Sequence, residues 1–121
     1  MINNTFNQTI TVSENQTAAA LGSGLLPVFS TPAMIALMEN TAMKAMVNVP
    51  EGCSSVGTAI NVKHLKASAV GEIIHCTALI TSIDGRKYSF EIAVKDNSNN
   101  LVGEGTHERV IVNVEKFMSK I

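Results

Sequence analysis

The sequence of 121 residues predicts an α+β fold in a single domain that spans residues 1–121. A segment beginning near Ser30 has the features of a long helix, and from Ser54 onward apolar residues recur at every second position. Hydrophobic residues make up 45% of the chain, and a chain of this length buries a core without metal or disulfide staples. We therefore expect antiparallel strands packed with one long helix.

The elements before the helix are a strand and a short turn. Apolar residues alternate with polar ones at Phe6, Ile10 and Val12, which predicts a half-buried first strand. The segment 17–24 then predicts a short helical turn whose two glycines allow the chain to change direction.

The long helix is predicted to begin at Ser30-Thr31-Pro32. A serine before the first turn supplies an N-cap oxygen, and proline is tolerated in that turn because its missing N–H would have no helical partner. The helix should end near Val47 or Asn48, before Pro50 and Gly52.

Four strands follow the helix. Alternation predicts that each of three strands directs one set of residues to one face: Val56, Thr58, Ile60, Val62 and His64; Ile74, Cys76, Ala78 and Ile80; Tyr88, Phe90, Ile92 and Val94. Asp84-Gly85 predicts a tight hairpin between the second and third of them. A last strand is expected over 101–112, with a short tail after it.

Charge and cysteine content exclude several classes of function. Nine Lys and Arg residues against ten Asp and Glu leave no basic face for nucleic acid. Neither a secretion signal nor a membrane-spanning apolar run is evident, so we expect a cytoplasmic protein without membrane association. Cys53 and Cys76 lack the paired spacing of a zinc site, so we expect free thiols and no metal.

Glu39 is the most unusual residue of the predicted helix. On a helical wheel it clusters with Ile35, Ala42 and Met46, whereas Asn40, Lys44 and Asn48 form the polar edge. A carboxylate among apolar side chains must find donors, change its pKa or reach a cleft. Glu39 is therefore either a functional residue or, if the helix is rotated, an ordinary surface carboxylate.

His64 ends the apolar face of its predicted strand. A lone histidine at such a position is usually a core or edge residue, but beside Glu39 it would serve as a base or polarise a water molecule. Sequence spacing does not decide between these alternatives. The methionines of the helix, by contrast, predict core packing.

Several segments together resemble the hotdog-fold thioesterases, and among them the fluoroacetyl-CoA thioesterase family. The order of elements contributes, as do the segments 17–24, 28–39, 57–64 and 103–109. The resemblance implies that Thr31, Glu39 and His64 are catalytic. It also implies that Gly57 lies beside the acyl group and that Arg109 belongs to the substrate site.

The resemblance further implies a sheet wrapped around the helix, in a homodimer or a dimer of dimers with active sites at the subunit interface. The expected reaction is hydrolysis of a small or short-chain acyl-CoA, with Glu39 as nucleophile or general base. No cofactor is expected, because CoA is part of the substrate. A non-catalytic acyl-CoA-binding module is the alternative, whereas a hotdog dehydratase is disfavoured because its aspartate–histidine motif is missing.

Overall fold

The structure, a computed structural model, describes residues 4–121. Five strands and three helices follow one another, with a single 3₁₀ turn at Glu14–Gln16. In chain order they are β1 Thr5–Thr11, α1 Ala18–Leu21, α2 Thr31–Ala45, β2 Cys53–His64, β3 Ile73–Asp84, β4 Lys87–Asp96, β5 Leu101–Asn113 and α3 Val114–Ser119.

The strands form one antiparallel sheet in the order β1-β3-β4-β5-β2, and α2 packs across its inner face. The predicted α+β class is thereby confirmed. The predicted hairpin is also present, because Asp84 pairs with Lys87 across a turn in which Gly85 has a φ of 60°. Strands β1 and β2 are the two edges of the sheet, so each of them has one side without a partner strand.

Helix α2 begins where the sequence predicts and ends slightly earlier, at Ala45. The Ser30 hydroxyl accepts a hydrogen bond from the Ala33 N–H at 3.1 Å, which caps the first turn. Met34 and Met38 are fully buried in the core, as expected of flexible apolar side chains. The short tail expected after the last strand contains the helix α3, which the Asn113 side chain caps.

The rotation of α2 differs from the predicted one. Leu37, which lies opposite Ile35 on a helical wheel, is 8% exposed, and Thr41 is fully buried. Ile35 and Glu39 are only half-buried, at the flank of the buried face. The wheel centred on Ile35 was therefore wrong by a fraction of a turn, because the sheet determines which stripe of an almost entirely apolar helix is covered.

The predicted single face of β2 was also wrong. Gly57 pairs with Arg109, but the next pair is Ala59 with Glu108, so the strand contains a β-bulge at Thr58. One extra residue shifts every following side chain to the opposite face. Ile60, Val62 and His64 face α2, as do Ser55 and Gly57 before the bulge. Val56, paired with Val110, lies on the other face.

Candidate active site

Thr31 and His64 are brought into direct contact. Thr31 is the first residue of α2, and His64 is the last residue of β2. A hydrogen bond of 2.8 Å joins Thr31 Oγ1 and His64 Nδ1. The N-cap that fixes the start of α2 and the bulge that turns His64 toward the helix together produce this contact.

The second nitrogen of His64 has no hydrogen-bond partner among the described residues, although it is buried. The Phe29 ring meets the imidazole edge-on, with ring centroids 6.3 Å apart. Burial lowers the pKa of His64, and the Lys66 backbone acts in the opposite direction. The imidazole therefore remains neutral near pH 7, with one nitrogen available to a ligand.

A pocket of about 330 Å³ opens beside this pair. Its wall includes Val28, Phe29 and Leu65, while Thr31 and His64 provide polar atoms. Such a combination of apolar walls and a few polar groups is typical of small-molecule sites. The pocket lies between the N-terminus of α2 and the end of β2.

Glu39 lies in a second polar group, two helical turns further along α2. A Cβ atom built on Gly57 would lie 3.0 Å from Glu39 Oε2 and 3.5 Å from Arg109 Nη1. The bare glycine thus leaves room for a carboxylate and a guanidinium to approach the same point. Burial lowers the pKa of Arg109, and the Glu39 carboxylate opposes that effect. The guanidinium stays charged, as arginine does in proteins.

The two polar groups are separate within one chain. Across residues 4–121, no hydrogen bond or ion pair joins Glu39 to Thr31 or His64. The eight-residue step from Thr31 to Glu39 corresponds to about 12 Å along a helix. The structure therefore brings together Thr31 with His64, and Glu39 with Gly57 and Arg109, but does not join the two groups.

Two residues around Arg109 were not anticipated from the sequence. The Nε–H of Arg109 donates to Ser55 Oγ at 2.9 Å, and Nη2 donates to the Ser55 carbonyl at 3.0 Å. Nη1 donates to His107 Nε2 at 3.2 Å. The spacing of His107 and Arg109 by two residues places both on one strand face, which was the available indication.

Two negative findings complete the description. Within the described part of the chain, no group of three His, Cys, Asp or Glu side chains is arranged to hold a metal ion. In residues 4–121, no helix has both the length and the apolar character needed to span a membrane.

The antiparallel sheet packed on one long helix is the hotdog fold of the thioesterases to which the chain is similar. Residues 12–115 match the family model described as fluoroacetyl-CoA-specific thioesterase. The fluoroacetyl-CoA thioesterase of Streptantibioticus cattleyicolor is 39% identical over 95 residues, which are 78% of this chain and 68% of that protein. The chain therefore belongs to the family of fluoroacetyl-CoA-specific thioesterases.

Solved structures agree with this assignment. A structure of the fluoroacetyl-CoA thioesterase superposes with a TM-score of 0.92 at 31% identity, covering 99% of this chain and 93% of that one. A variant of that thioesterase in complex with acetyl-CoA gives the same TM-score and identity, over 99% and 95% of the two chains. A thioesterase superfamily member from Thermus thermophilus, 21% identical over 98% and 90% of the chains with a TM-score of 0.89, shares the fold.

Proposed function

We propose that this protein hydrolyses thioesters of CoA with small or short-chain acids, using Thr31, Glu39 and His64. The observation that carries the proposal is the 2.8 Å bond between Thr31 and His64, which leaves His64 Nε2 without a partner among residues 4–121. A thioester carbonyl needs a nucleophile at carbon and a hydrogen-bond donor where charge develops on oxygen. A threonine hydroxyl, a neutral imidazole and a carboxylate supply both.

The reaction consumes one water molecule. The water oxygen bonds to the carbonyl carbon, the C–S bond breaks, one proton goes to the sulfur of CoA, and the acid is released. Glu39 either removes a proton from the attacking water or attacks first and forms an anhydride that water then cleaves. His64 transfers protons in both routes, and neither requires a cofactor beyond the CoA of the substrate.

We further propose that each site is shared between two copies of the chain. Strand β2 is an edge strand, and Ile60 is 37% exposed on it. Unpaired strand edges favour pairing with another strand. Antiparallel pairing of β2 with β2 of a second copy, centred on Asn61, sets His64 opposite Gly57 of that copy, because the bulged residue Thr58 is left out of the pairing. Glu39 of the second copy then approaches His64, which the helix length prevents within one chain.

The acyl group is proposed to lie over Gly57, near Arg109. A glycine with a carboxylate and a guanidinium beside it leaves space for a small group and little for a long chain. The related thioesterase has been solved with acetyl-CoA and, in another variant, with fluoroacetate and CoA. We therefore expect acyl groups of two to four carbons to be preferred.

The free thiols of Cys53 and Cys76 agree with the reducing cytoplasm as the compartment.

The direct test is thiol release from a panel of acyl-CoA esters that includes acetyl-, fluoroacetyl- and butyryl-CoA. Glu39→Gln and His64→Ala should each remove most turnover while leaving the thermal unfolding midpoint close to that of the wild type. Thr31→Ser should be milder than Thr31→Ala, because it keeps the hydroxyl. Asn40→Ala, which changes an exposed neighbour of Glu39, is the matched control and should retain activity.

The contrary outcome identifies the alternative function. If the wild-type protein binds acyl-CoA esters in calorimetry but releases no thiol with any of them, it is an acyl-CoA-binding module. Near-wild-type turnover of Glu39→Gln or His64→Ala would instead leave the enzyme in place and remove these residues from its mechanism.

A further inference from the structure

We infer that His107 is a positioning residue of the hydrolytic site, which holds the Arg109 guanidinium beside Gly57 and Glu39. The inference rests on the proposed function, since it gives Arg109 a task in the same site. Neither ring nitrogen of His107 contacts Glu39 or the proposed position of the acyl carbonyl. It acts through Arg109.

The hydrogen bonds of His107 fix its protonation state. Its Nδ1 lies 2.8 Å from the Ala59 carbonyl oxygen, which only accepts, so Nδ1 carries the proton. Its Nε2 lies 3.2 Å from Arg109 Nη1, which only donates, so Nε2 carries the lone pair. Both nitrogens of a neutral imidazole thereby have hydrogen-bond partners, and a flip of the ring would break both hydrogen bonds.

The surroundings hold the ring rigidly. His107 is 1% exposed, and the Phe90 ring stacks on it with centroids 5.8 Å apart and an angle of 29° between the planes. Burial lowers the pKa of His107, and the nearby Arg109 charge acts in the same direction. Both ring nitrogens are hydrogen-bonded, as the burial of a polar ring requires.

Three hydrogen bonds hold the Arg109 guanidinium. Ser55 accepts from Nε and from Nη2, and His107 accepts from Nη1. Only the His107 bond involves the nitrogen that lies 3.5 Å from the Gly57 Cβ position. Because the guanidinium is planar, these three bonds together fix the direction of the second N–H of Nη1, and the His107 bond is the one made by Nη1 itself. Without it, the guanidinium keeps its Ser55 anchor but loses the contact that holds Nη1 in place beside Gly57 and Glu39.

Two isosteric substitutions separate this role from a structural one. His107→Gln places an amide oxygen near the former Nε2 and so retains an acceptor for Arg109. His107→Asn places an amide N–H₂ near the former Nδ1 and so retains the bond to the Ala59 carbonyl. His75→Gln, on an exposed histidine of β3, is the control for a general histidine effect.

We expect kcat/KM for thiol release to stay within about threefold of wild type in His107→Gln and to fall about ten- to a hundredfold in His107→Asn, the range for losing a hydrogen bond to a charged group. In an Arg109→Lys background the two substitutions should give equal rates. Unfolding midpoints identify any variant that fails to fold.

The opposite ranking, with Asn active and Gln impaired, would overturn the inference and assign His107 a structural bond to β2. Equal activity of both variants in the Arg109 wild-type background would overturn it as well. A wild-type protein that releases no thiol would instead refute the proposed function, so the two failures are distinguishable.

Discussion

At the scale of single residues, the most informative atom is Nε2 of His64. It is buried and has no partner among the described residues, whereas the other ring nitrogen is bonded to Thr31. A buried polar atom without a partner costs stability, so its persistence in a folded protein calls for an explanation. A substrate or water molecule that completes its hydrogen bonding provides one.

The acid limb of the pH–rate profile tests the protonation state of His64. Burial lowers its pKa below the ordinary 6.5, so the neutral, active imidazole persists to lower pH than in a free histidine. We therefore expect kcat/KM to remain high at pH 6.5 and to fall only at more acidic pH.

His107 is fully buried, whereas His64 is half-buried, so His107→Gln serves as the control and should leave the position of the acid limb unchanged. An acid limb at or above pH 6.5 would show that neutral His64 is not the titrating group.

At the scale of elements, the bulge in β2 brings the two halves of the site onto one face. Gly57 and His64 are seven residues apart, and in a regular strand an odd separation places side chains on opposite faces. The extra residue at Thr58 reverses that relation, so both face α2. Bulges are common next to active sites for this reason.

Gly57→Ala tests whether the site needs the space that the missing side chain of Gly57 leaves beside Glu39. The added methyl group would lie 3.0 Å from Glu39 Oε2 and 3.1 Å from His107 Cε1, closer than ordinary contacts. We expect a large loss of kcat/KM for thiol release with a loss of stability of at most about 1–3 kcal/mol, the usual cost of overpacking. Ser54→Ala, at an exposed position of the same strand, should change neither.

Retention of full activity in Gly57→Ala would contradict a site that tolerates no side chain at position 57. If Gly57→Ala does not fold at the assay temperature, it is assayed beside the wild type at a lower temperature. The ratio of KM to kcat would then show whether binding or chemistry is affected.

The elements themselves were largely predictable, because their signals are local. The N-cap at Ser30, the hairpin at Gly85 and the alternation in β3 and β4 depend on neighbouring residues, and the structure contains each of them. The face of the sheet on which each β2 side chain lies was not predictable, since the bulge is defined by pairing with β5, a strand more than forty residues away. The rotation of α2 likewise depends on the sheet beneath it.

The site was predictable only as a set of residues. Thr31 and His64 meet, and Gly57 lies beside Glu39 and Arg109. Periodicity could not reveal that they form two groups, because that distance follows from the length of α2 and the path of β2. His107 was missed since a histidine within a strand has no distinctive pattern of its own.

At the scale of the whole molecule, two features have one common explanation. They are the unpaired edge of β2 and the distance between the Thr31–His64 pair and Glu39. A second copy paired along β2 would cover the edge and bring Glu39 of one chain to His64 of the other. In the proposed dimer, catalysis would take place where the two sheets meet along β2. A monomer would hold each half of the site without its complement.

Mixing two inactive variants tests this central claim most directly. Glu39→Gln and His64→Ala homodimers should each be nearly inactive, because every site lacks one group. In a mixed dimer one of the two shared sites contains both native residues, so random exchange of equal amounts should restore about a quarter of wild-type thiol release. A mixture that stays as inactive as its components, although exchange is shown by tagged subunits, would contradict a site shared between two chains.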